Sequence, residues 1–158
     1  YYINLLLCLL FLSSLSTAHK DSDQPVVLKI QDRYVILSNG KVEVTLLKPE
    51  GIVSGIRYDE VDNVLEVLND ETNRGYWDMV WRDDETTRKK GNFDRMLGTN
   101  FSVITQSEEL VELSFFKIWN STHREVPLNF DKRFILRRGS SGFYTYAIYE
   151  RRAGWPAF

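Results

Sequence analysis

Basic residues are concentrated between residues 131 and 152 of the printed chain. Six residues of this segment are basic and two are acidic, so its net charge is +4, whereas the whole chain has a formal net charge of −2. The basic residues are Lys132, Arg133, Arg137, Arg138, Arg151 and Arg152. Guanidinium groups bind carboxylates through charge-assisted, often paired hydrogen bonds. The segment is therefore a candidate surface for a carboxylate-bearing ligand, and the alternative is a solvated strand face with ordinary ion pairs.

Arg133 and Arg137 have the spacing expected of two side chains that bind one extended polymer. Side chains four residues apart lie on the same face of a β-strand, about 13 Å from each other. Two guanidinium groups at this distance would meet successive charged sugars. We therefore predict that Arg133 and Arg137 bind the substrate.

Aromatic residues supply a second kind of sugar-binding surface. A large ring with a polar edge packs well on the apolar face of a sugar and suits a binding cleft. Trp77 and Trp81 fall on one face of a predicted strand, beside a polar loop, and we predict that both bind the substrate. For any one aromatic residue, the alternative to sugar binding is a place in the core. The other aromatic candidates are Trp119, Trp155, Tyr76, Tyr144, Tyr146 and Tyr149.

The remaining reactive residues are few. His19, His123 and Cys8 are the only histidines and the only cysteine, which argues against a zinc site. We expect His123 to be a surface residue rather than a general acid. The acidic residues 83–85 could bind calcium, but they lack the EF-hand spacing, so we predict no metal and no cofactor. No nucleophile-elbow, P-loop, dinucleotide-binding or zinc-protease motif is present.

The first residues read as a secretory leader. Residues 3–12 form an apolar run too short for a membrane span, and Ser16 and Ala18 fit the small-residue pattern of a signal-peptidase site. We predict that residues 1–18 are a signal peptide and that residues 19–158 form the mature domain. The protein is then expected to be secreted, to the extracellular space or cell wall, without a membrane association after cleavage.

Two N-x-S/T sequons fit this location. They begin at Asn100 and Asn120, and we predict both asparagines as glycosylation sites.

Composition and patterning favour one all-β domain. Hydrophobic residues make up 43% of the 158 and charged residues 27%, which is typical of a globular domain with a sizeable core. The near balance of charge gives no bias toward nucleic acid. Apolar residues alternate at period two over short runs, and Asn39-Gly40 is a strong hairpin signal. Strands are predicted over residues 26–30, 34–37, 41–46, 52–58, 64–68, 75–81, 101–105, 110–119, 128–136 and 143–149.

These strands predict an antiparallel β-sandwich. In residues 41–46, Val42, Val44 and Leu46 alternate with polar residues, which gives one buried and one solvated face. Residues 82–95 are polar and mixed in charge, and they are predicted to form a long surface loop.

Four segments together resemble a known family. They are VILSNGKVEVTL at 35–46, PEGIVSGIRY at 49–58, GYWDMVW at 75–81 and GWPAF at 154–158. The combination resembles the N-terminal part of plant rhamnogalacturonate lyases, polysaccharide lyase family 4. The resemblance implies a galactose-mutarotase-like β-supersandwich, incomplete at the C-terminus, and an N-terminal fragment of a longer protein.

The resemblance also implies an activity. Family members cleave the rhamnogalacturonan I backbone of pectin by β-elimination at galacturonate, so the expected partner is an anionic pectic polysaccharide. They use a lysine base, a histidine acid and arginines around the carboxylate. We expect that lysine and histidine to lie beyond Phe158, and the arginine pair to correspond to Arg133 and Arg137. The isolated chain is expected to be a monomer with little or no lyase activity.

Two other functions remain open at this level. The same scaffold could carry an aldose-epimerase-like enzyme, although two isolated histidines suit that chemistry poorly. The chain could also be a noncatalytic sugar-binding or vestigial product, which would need no acid–base pair.

Overall fold

The computed structural model describes residues 23–82, 91–122 and 124–158. In these ranges the chain forms ten β-strands and a short 3-10 helix over Glu71–Asn73, with no α-helix. The strands are β1 (Val27–Ile30), β2 (Tyr34–Ser38), β3 (Val42–Leu47), β4 (Ile52–Tyr58), β5 (Asp78–Trp81), β6 (Asn92–Arg95), β7 (Asn100–Gln106), β8 (Leu110–Lys117), β9 (Asn129–Arg137) and β10 (Tyr144–Glu150).

The strands form two four-stranded sheets and one small hairpin. The N-terminal sheet has the order β1-β2-β3-β4, and the C-terminal sheet has the order β10-β9-β8-β7. Every pairing is antiparallel, including that of β5 with β6 in the hairpin. The predicted antiparallel β-sandwich is therefore confirmed.

One apolar core joins the two sheets. Its buried members are Val26, just before β1, with residues of β2, β3 and β4 on one side and residues of β8 and β9 on the other. The alternation predicted in β3 is present, because Val42, Val44 and Leu46 are at most 2% exposed. Opposite them lie Phe115 and Phe134, whose rings meet edge to face with centroids 5.6 Å apart. Burial of such side chains contributes about 1.5–3 kcal/mol each, which makes this layer the main stabilising element.

Asn39 fastens the sheets together at one end. The side chain is fully buried, and its Oδ1 accepts hydrogen bonds from the amides of Lys41 and Val42 at 3.1 and 2.9 Å. Its Nδ2 donates to the carbonyl oxygens of Arg137 and Ser140 at 2.9 and 2.8 Å. All four hydrogen-bonding positions of the amide are thus used, so the turn after β2 is fixed to the turn after β9.

Lys132 fastens the sheets at the other end. Its side chain on β9 is fully buried, and Nζ donates to the carbonyl oxygens of Glu50 and Gly51, at 2.8 and 2.9 Å, in the turn between β3 and β4. The Glu50 carbonyl also accepts from the amide of Gly98 at 3.0 Å. Gly51 has φ +67°, and a Cβ there would lie 2.7 Å from Phe115, so the close approach of this turn requires glycine.

A second, smaller core holds the β5–β6 hairpin against the start of β9. Its buried members are Met96, Val126, Leu128 and Phe130, and its partly buried members are Trp77, Met79 and Trp81. This cluster places the tryptophans of the hairpin beside the connection between β8 and β9.

The structure corrects two predicted segments. Residues 64–68 are not a strand. The Val64 amide donates to the Ile56 carbonyl oxygen of β4 at 2.8 Å, and Asn63 Oδ1 accepts hydrogen bonds from the amides of Ile56 and Leu65, which forms a turn instead of a ladder. Leu65 packs against the main core, but Val64, Val67 and Leu68 are exposed, so most of the apolar residues of this segment are not buried.

The predicted loop over residues 82–95 is wrong in its last part, where β6 pairs with β5. The polar residues of β6 had indicated a loop, but an exposed hairpin needs few apolar residues. Residues 83–90 lie outside the described ranges.

We predict that the charge on Lys132 makes stability depend on pH. Burial lowers the pKa of Lys132 to about 8, against an opposing effect of the Glu50 carboxylate. Between about pH 8 and the ordinary lysine pKa of 10.5, the unfolded chain keeps a proton that the folded chain has released. The free energy of unfolding therefore rises with pH across this window, by up to about 3 kcal/mol. The neutral amine still has two N–H donors for the two carbonyl oxygens.

The measurement is denaturant unfolding of the native chain and of Lys132→Met across this window. Other groups titrate equally in both proteins, so the stability of the native chain should increase relative to that of the variant. A difference that stays constant or shrinks as pH rises would show that burial does not lower the pKa of Lys132 below its ordinary value.

Candidate functional site

Two adjoining concavities lie around the end of β8, with volumes of about 590 and 740 Å³. Both are lined by Trp119, Ser121 and Pro156. Trp81 and Arg124 line the first and Trp155 lines the second. We call this continuous surface the aromatic groove. Its two concavities have the volumes typical of small-ligand sites, and an extended ligand would fit along both.

Trp119 lies between the two concavities and is held by two hydrogen bonds. Its backbone amide donates to Asn129 Oδ1 at 2.9 Å, and its indole Nε1 donates to the Glu125 carbonyl oxygen at 3.3 Å. The ring contacts that of Trp155, with centroids 4.7 Å apart and planes at 48°. The groove thus contains two indole rings whose planes are inclined to each other.

Arginines position the Trp155 side of the groove. Arg151 donates from Nε to the Pro156 carbonyl oxygen at 3.1 Å and from Nη2 to that of Trp155 at 2.7 Å. The Arg152 guanidinium lies 5.9 Å from the centroid of the Trp155 ring. Both cations are therefore used to hold the segment after β10 in place.

Asp94 positions the Trp81 side. Its Oδ2 accepts hydrogen bonds from Trp81 Nε1 at 2.5 Å and from the Val126 amide at 2.7 Å. The Trp81 ring also meets Phe158 edge to face, with centroids 6.2 Å apart. One carboxylate thus fixes the hairpin tryptophan to the segment that carries Arg124.

Among the described residues that line the groove, one cation is available to a ligand. Glu125 forms an ion pair with Lys117. Arg124 is exposed, and among the described residues no carboxylate pairs with it. A guanidinium beside indole rings is an arrangement that binds a sugar bearing a carboxylate.

The two predicted tryptophan ligands have different places. Trp81 lines the groove, as a binding role requires. Trp77 packs against the second core, and its carbonyl oxygen accepts from the Met96 amide at 2.7 Å. The predicted substrate-binding role of Trp77 stays a prediction, and its contacts give it a structural task.

Arg133 lies on the outer face of the C-terminal sheet, between two carboxylates. Its Nη2 lies 2.7 Å from Asp131 Oδ2 and its Nη1 lies 2.8 Å from Glu112 Oε1, with its side chain 16% exposed. Tyr146 donates to the same Glu112 oxygen at 2.9 Å, and this hydrogen bond raises the pKa of Tyr146. The cluster of one guanidinium and two carboxylates has a net negative charge, which disfavours an anionic ligand.

Arg137 shares this outer face but lies at the far end of β9. It pairs in register with Leu110, whereas Phe130, at the groove end, pairs with Lys117. Seven residues of strand span about 23 Å, so one short ligand cannot contact both Arg137 and the groove. Arg137 is exposed, and its guanidinium makes no hydrogen bond or ion pair within the described residues. The predicted role of Arg133 and Arg137 is untested, and of the two Arg137 is the more available.

Lys132 has the lowered pKa that a general base needs, but it lacks access. Its amine is fully buried and is engaged by two carbonyl oxygens. It is therefore a structural lysine in this arrangement.

Several predicted features fall outside the described residues. They are the leader at residues 1–18, the acidic residues 83–85 and His123. Within the described ranges, no group of three or more His, Cys, Asp or Glu residues is placed to hold a metal ion. Among these residues there is also no helix long and apolar enough to span a membrane.

In the sequence, Trp119 and Trp155 are two of several further aromatic candidates, and no pattern indicates that Arg124 belongs to a binding site. The contact between the two tryptophans joins residues that are far apart in the chain, so no local spacing predicts it. The aromatic residues of the segment 154–158 were the available signal.

Comparison with known proteins identifies the family. Residues 13–158 match the model of the rhamnogalacturonate lyase family, and the chain belongs to that family. A search of curated proteins found no match, and neither did a search of solved structures.

Asp94→Ala should loosen the Trp81 side of the groove. The change removes the acceptor of two hydrogen bonds, and we expect the free energy of unfolding to fall by about 1–3 kcal/mol. Asp78→Ala, at an exposed position of the same hairpin, is the matched control and should change stability by less than about 0.5 kcal/mol. Denaturant unfolding and acrylamide quenching of tryptophan fluorescence measure both effects. Equal stabilities of the two variants would mean that Asp94 does not fix the hairpin.

Proposed function

We propose that this protein is a rhamnogalacturonan endolyase that acts on the rhamnogalacturonan I backbone of pectin, outside the cell. The family match over residues 13–158 is the observation that carries the proposal. The aromatic groove supports it, because indole rings and an available guanidinium suit a polymer of neutral and acidic sugars.

The proposed reaction is a β-elimination at galacturonate. A base removes the proton from C5, the C4–O bond to the neighbouring sugar breaks, and its electrons leave with the oxygen. The electrons of the C5–H bond form the C4–C5 double bond, and an acid protonates the departing oxygen. Charge that develops on the uronate carboxylate needs a cation or hydrogen-bond donors beside it.

In this proposal the groove binds the polymer. Trp119, Trp155 and Trp81 would pack on sugar faces, and Arg124 would pair with a uronate carboxylate. The family resemblance implies a catalytic lysine and a catalytic histidine, and their location beyond Phe158 stays a prediction. The role of this chain would then be to hold and orient the backbone of the substrate.

A noncatalytic sugar-binding function is the second candidate. The specific observation in its favour is the burial of Lys132, the lysine whose pKa is lowered to about 8. Binding by the groove needs no catalytic lysine. Both candidate functions therefore use the same binding surface, and only the lyase would cleave the bound polysaccharide.

The purified 158-residue chain is expected to bind rhamnogalacturonan I without cleaving it. Cleavage would form a double bond conjugated to a carboxylate, which is followed by ultraviolet absorbance and by mass spectrometry of the products. A rhamnogalacturonan-cleaving lyase of known activity is the positive control. Sustained release of unsaturated uronate by the chain would contradict the placement of the base and acid beyond Phe158.

Variants separate the two candidate arginine surfaces. Arg124→Ala should weaken binding of a saturated rhamnogalacturonan oligosaccharide about tenfold, through loss of one charge-assisted contact. Arg133→Ala should change affinity little, because its guanidinium is already paired with Asp131 and Glu112. Isothermal titration calorimetry measures each affinity, and Arg137→Ala is included. A large loss with Arg137→Ala and none with Arg124→Ala would move the binding site to the outer face of β9.

A further inference from the structure

The sequon at Asn120 lies on the rim of the aromatic groove in a turn. Asn120 is exposed and lines the second concavity together with Trp119 and Trp155. Its Oδ1 accepts a hydrogen bond from the Thr122 amide at 3.1 Å. This turn leaves Nδ2, the atom to which a glycan is attached, without a hydrogen bond to the described residues.

We propose that an N-linked glycan on Asn120 covers the Trp119–Trp155 side of the aromatic groove and leaves the Trp81–Arg124 side open. The inference depends on passage through the secretory pathway, and it does not depend on the lyase activity. In the modification, Nδ2 bonds to the anomeric carbon of a lipid-linked oligosaccharide and loses a proton. The bond from that carbon to the diphosphate of the lipid carrier breaks.

The surface beside Asn120 suits the first sugars of such a glycan. The Trp119 and Trp155 rings lie 4.7 Å apart and are inclined at 48°, so they offer adjacent apolar faces. The indole Nε1 of Trp119 donates to the Glu125 carbonyl oxygen, which orients the ring, and its backbone amide donates to Asn129 Oδ1. Little side-chain freedom is therefore lost when a sugar packs on the ring. Ile118, on the same concavity, is 55% exposed.

Attachment gives the glycan an advantage over a free ligand. A tethered sugar is present at high effective concentration, so even a weak contact with an indole face is occupied. Asn120 lines the same concavity as Trp155, whereas Arg124 and Trp81 line the neighbouring one. In the glycosylated protein, polysaccharide binding would therefore be confined to the Trp81–Arg124 side, and Trp119 and Trp155 would contact the polymer only where Asn120 carries no glycan.

The other sequon provides a matched control. Asn100 begins β7, where it pairs with Phe116, and its Nδ2 donates to Thr99 Oγ1 at 2.9 Å. It does not line either concavity of the groove. A glycan at Asn100 adds the same mass and polarity without covering the tryptophan pair.

The test uses the 158-residue chain secreted from a eukaryotic host, as the native sequence and as Asn120→Gln, Thr122→Ala and Asn100→Gln. Peptide mass spectrometry measures the occupancy of each sequon. Acrylamide quenching of tryptophan fluorescence measures ring accessibility before and after enzymatic removal of glycans under native conditions. We expect an occupied Asn120 and stronger quenching after deglycosylation. The same increase should appear in Asn120→Gln and Thr122→Ala but not in Asn100→Gln.

Two results would overturn the proposal. One is a secreted chain in which Asn120 carries no glycan. The other is an occupied Asn120 whose removal leaves the quenching unchanged. Enzymatic removal from the native chain decides the matter even if a variant fails to fold.

Discussion

The position of the groove depends on the buried amine of Lys132. This one side chain joins β9 to the turn between β3 and β4, and the Glu50 carbonyl that it binds also holds the amide of Gly98. Gly98 follows β6 and stands two residues after Met96, a member of the second core. The same turn therefore fixes the two large sheets to each other and fixes the β5–β6 hairpin beside them. A buried amine is costly to desolvate, so its two carbonyl acceptors are what make it tolerable.

The sandwich and the groove have separate tasks. Regular strands supply the core, and the candidate binding surface is built from the ends of strands and from connections, as in many proteins with a rigid scaffold. Local contacts then fix the binding side chains: Asn129 and the Glu125 carbonyl hold Trp119, and Asp94 holds Trp81. Such contacts reduce the conformational entropy that ligand binding would otherwise remove.

The outer face of the C-terminal sheet and the aromatic groove differ in the cations that are available to a ligand. The sequence alone does not show this difference. The basic segment over residues 131–152 has a net charge of +4, yet most of its cations are engaged within the protein. Arg133 and Arg138 pair with carboxylates, and Arg151 binds carbonyl oxygens of the chain end. Net charge along a sequence therefore overstates the cations available to a ligand, whereas Arg124, outside the segment, is exposed beside the groove.

The sequence pattern predicted those features of the fold that interactions between neighbouring residues determine. The alternation of Val42, Val44 and Leu46 placed β3 correctly, and the Asn39-Gly40 pair located the hairpin turn. The sequence did not predict that Asn39 binds a turn of the opposite sheet, because its partners lie about a hundred positions away. For the same reason, because the partners are distant in the chain, the sequence did not predict the burial of Lys132 or the contact of Trp119 with Trp155. The strand predicted over 64–68 was wrong because apolar spacing alone does not supply a neighbouring strand.

The most direct measurement of the central claim is nuclear magnetic resonance of the four indole N–H groups during titration with a saturated rhamnogalacturonan oligosaccharide. The chain is produced without glycans, so that the whole groove is open. The account predicts that the signals of Trp119, Trp155 and Trp81 move with a common affinity and that the signal of Trp77, in the second core, stays in place. Unchanged indole signals, together with shifts confined to the outer-face residues of β9, would contradict it.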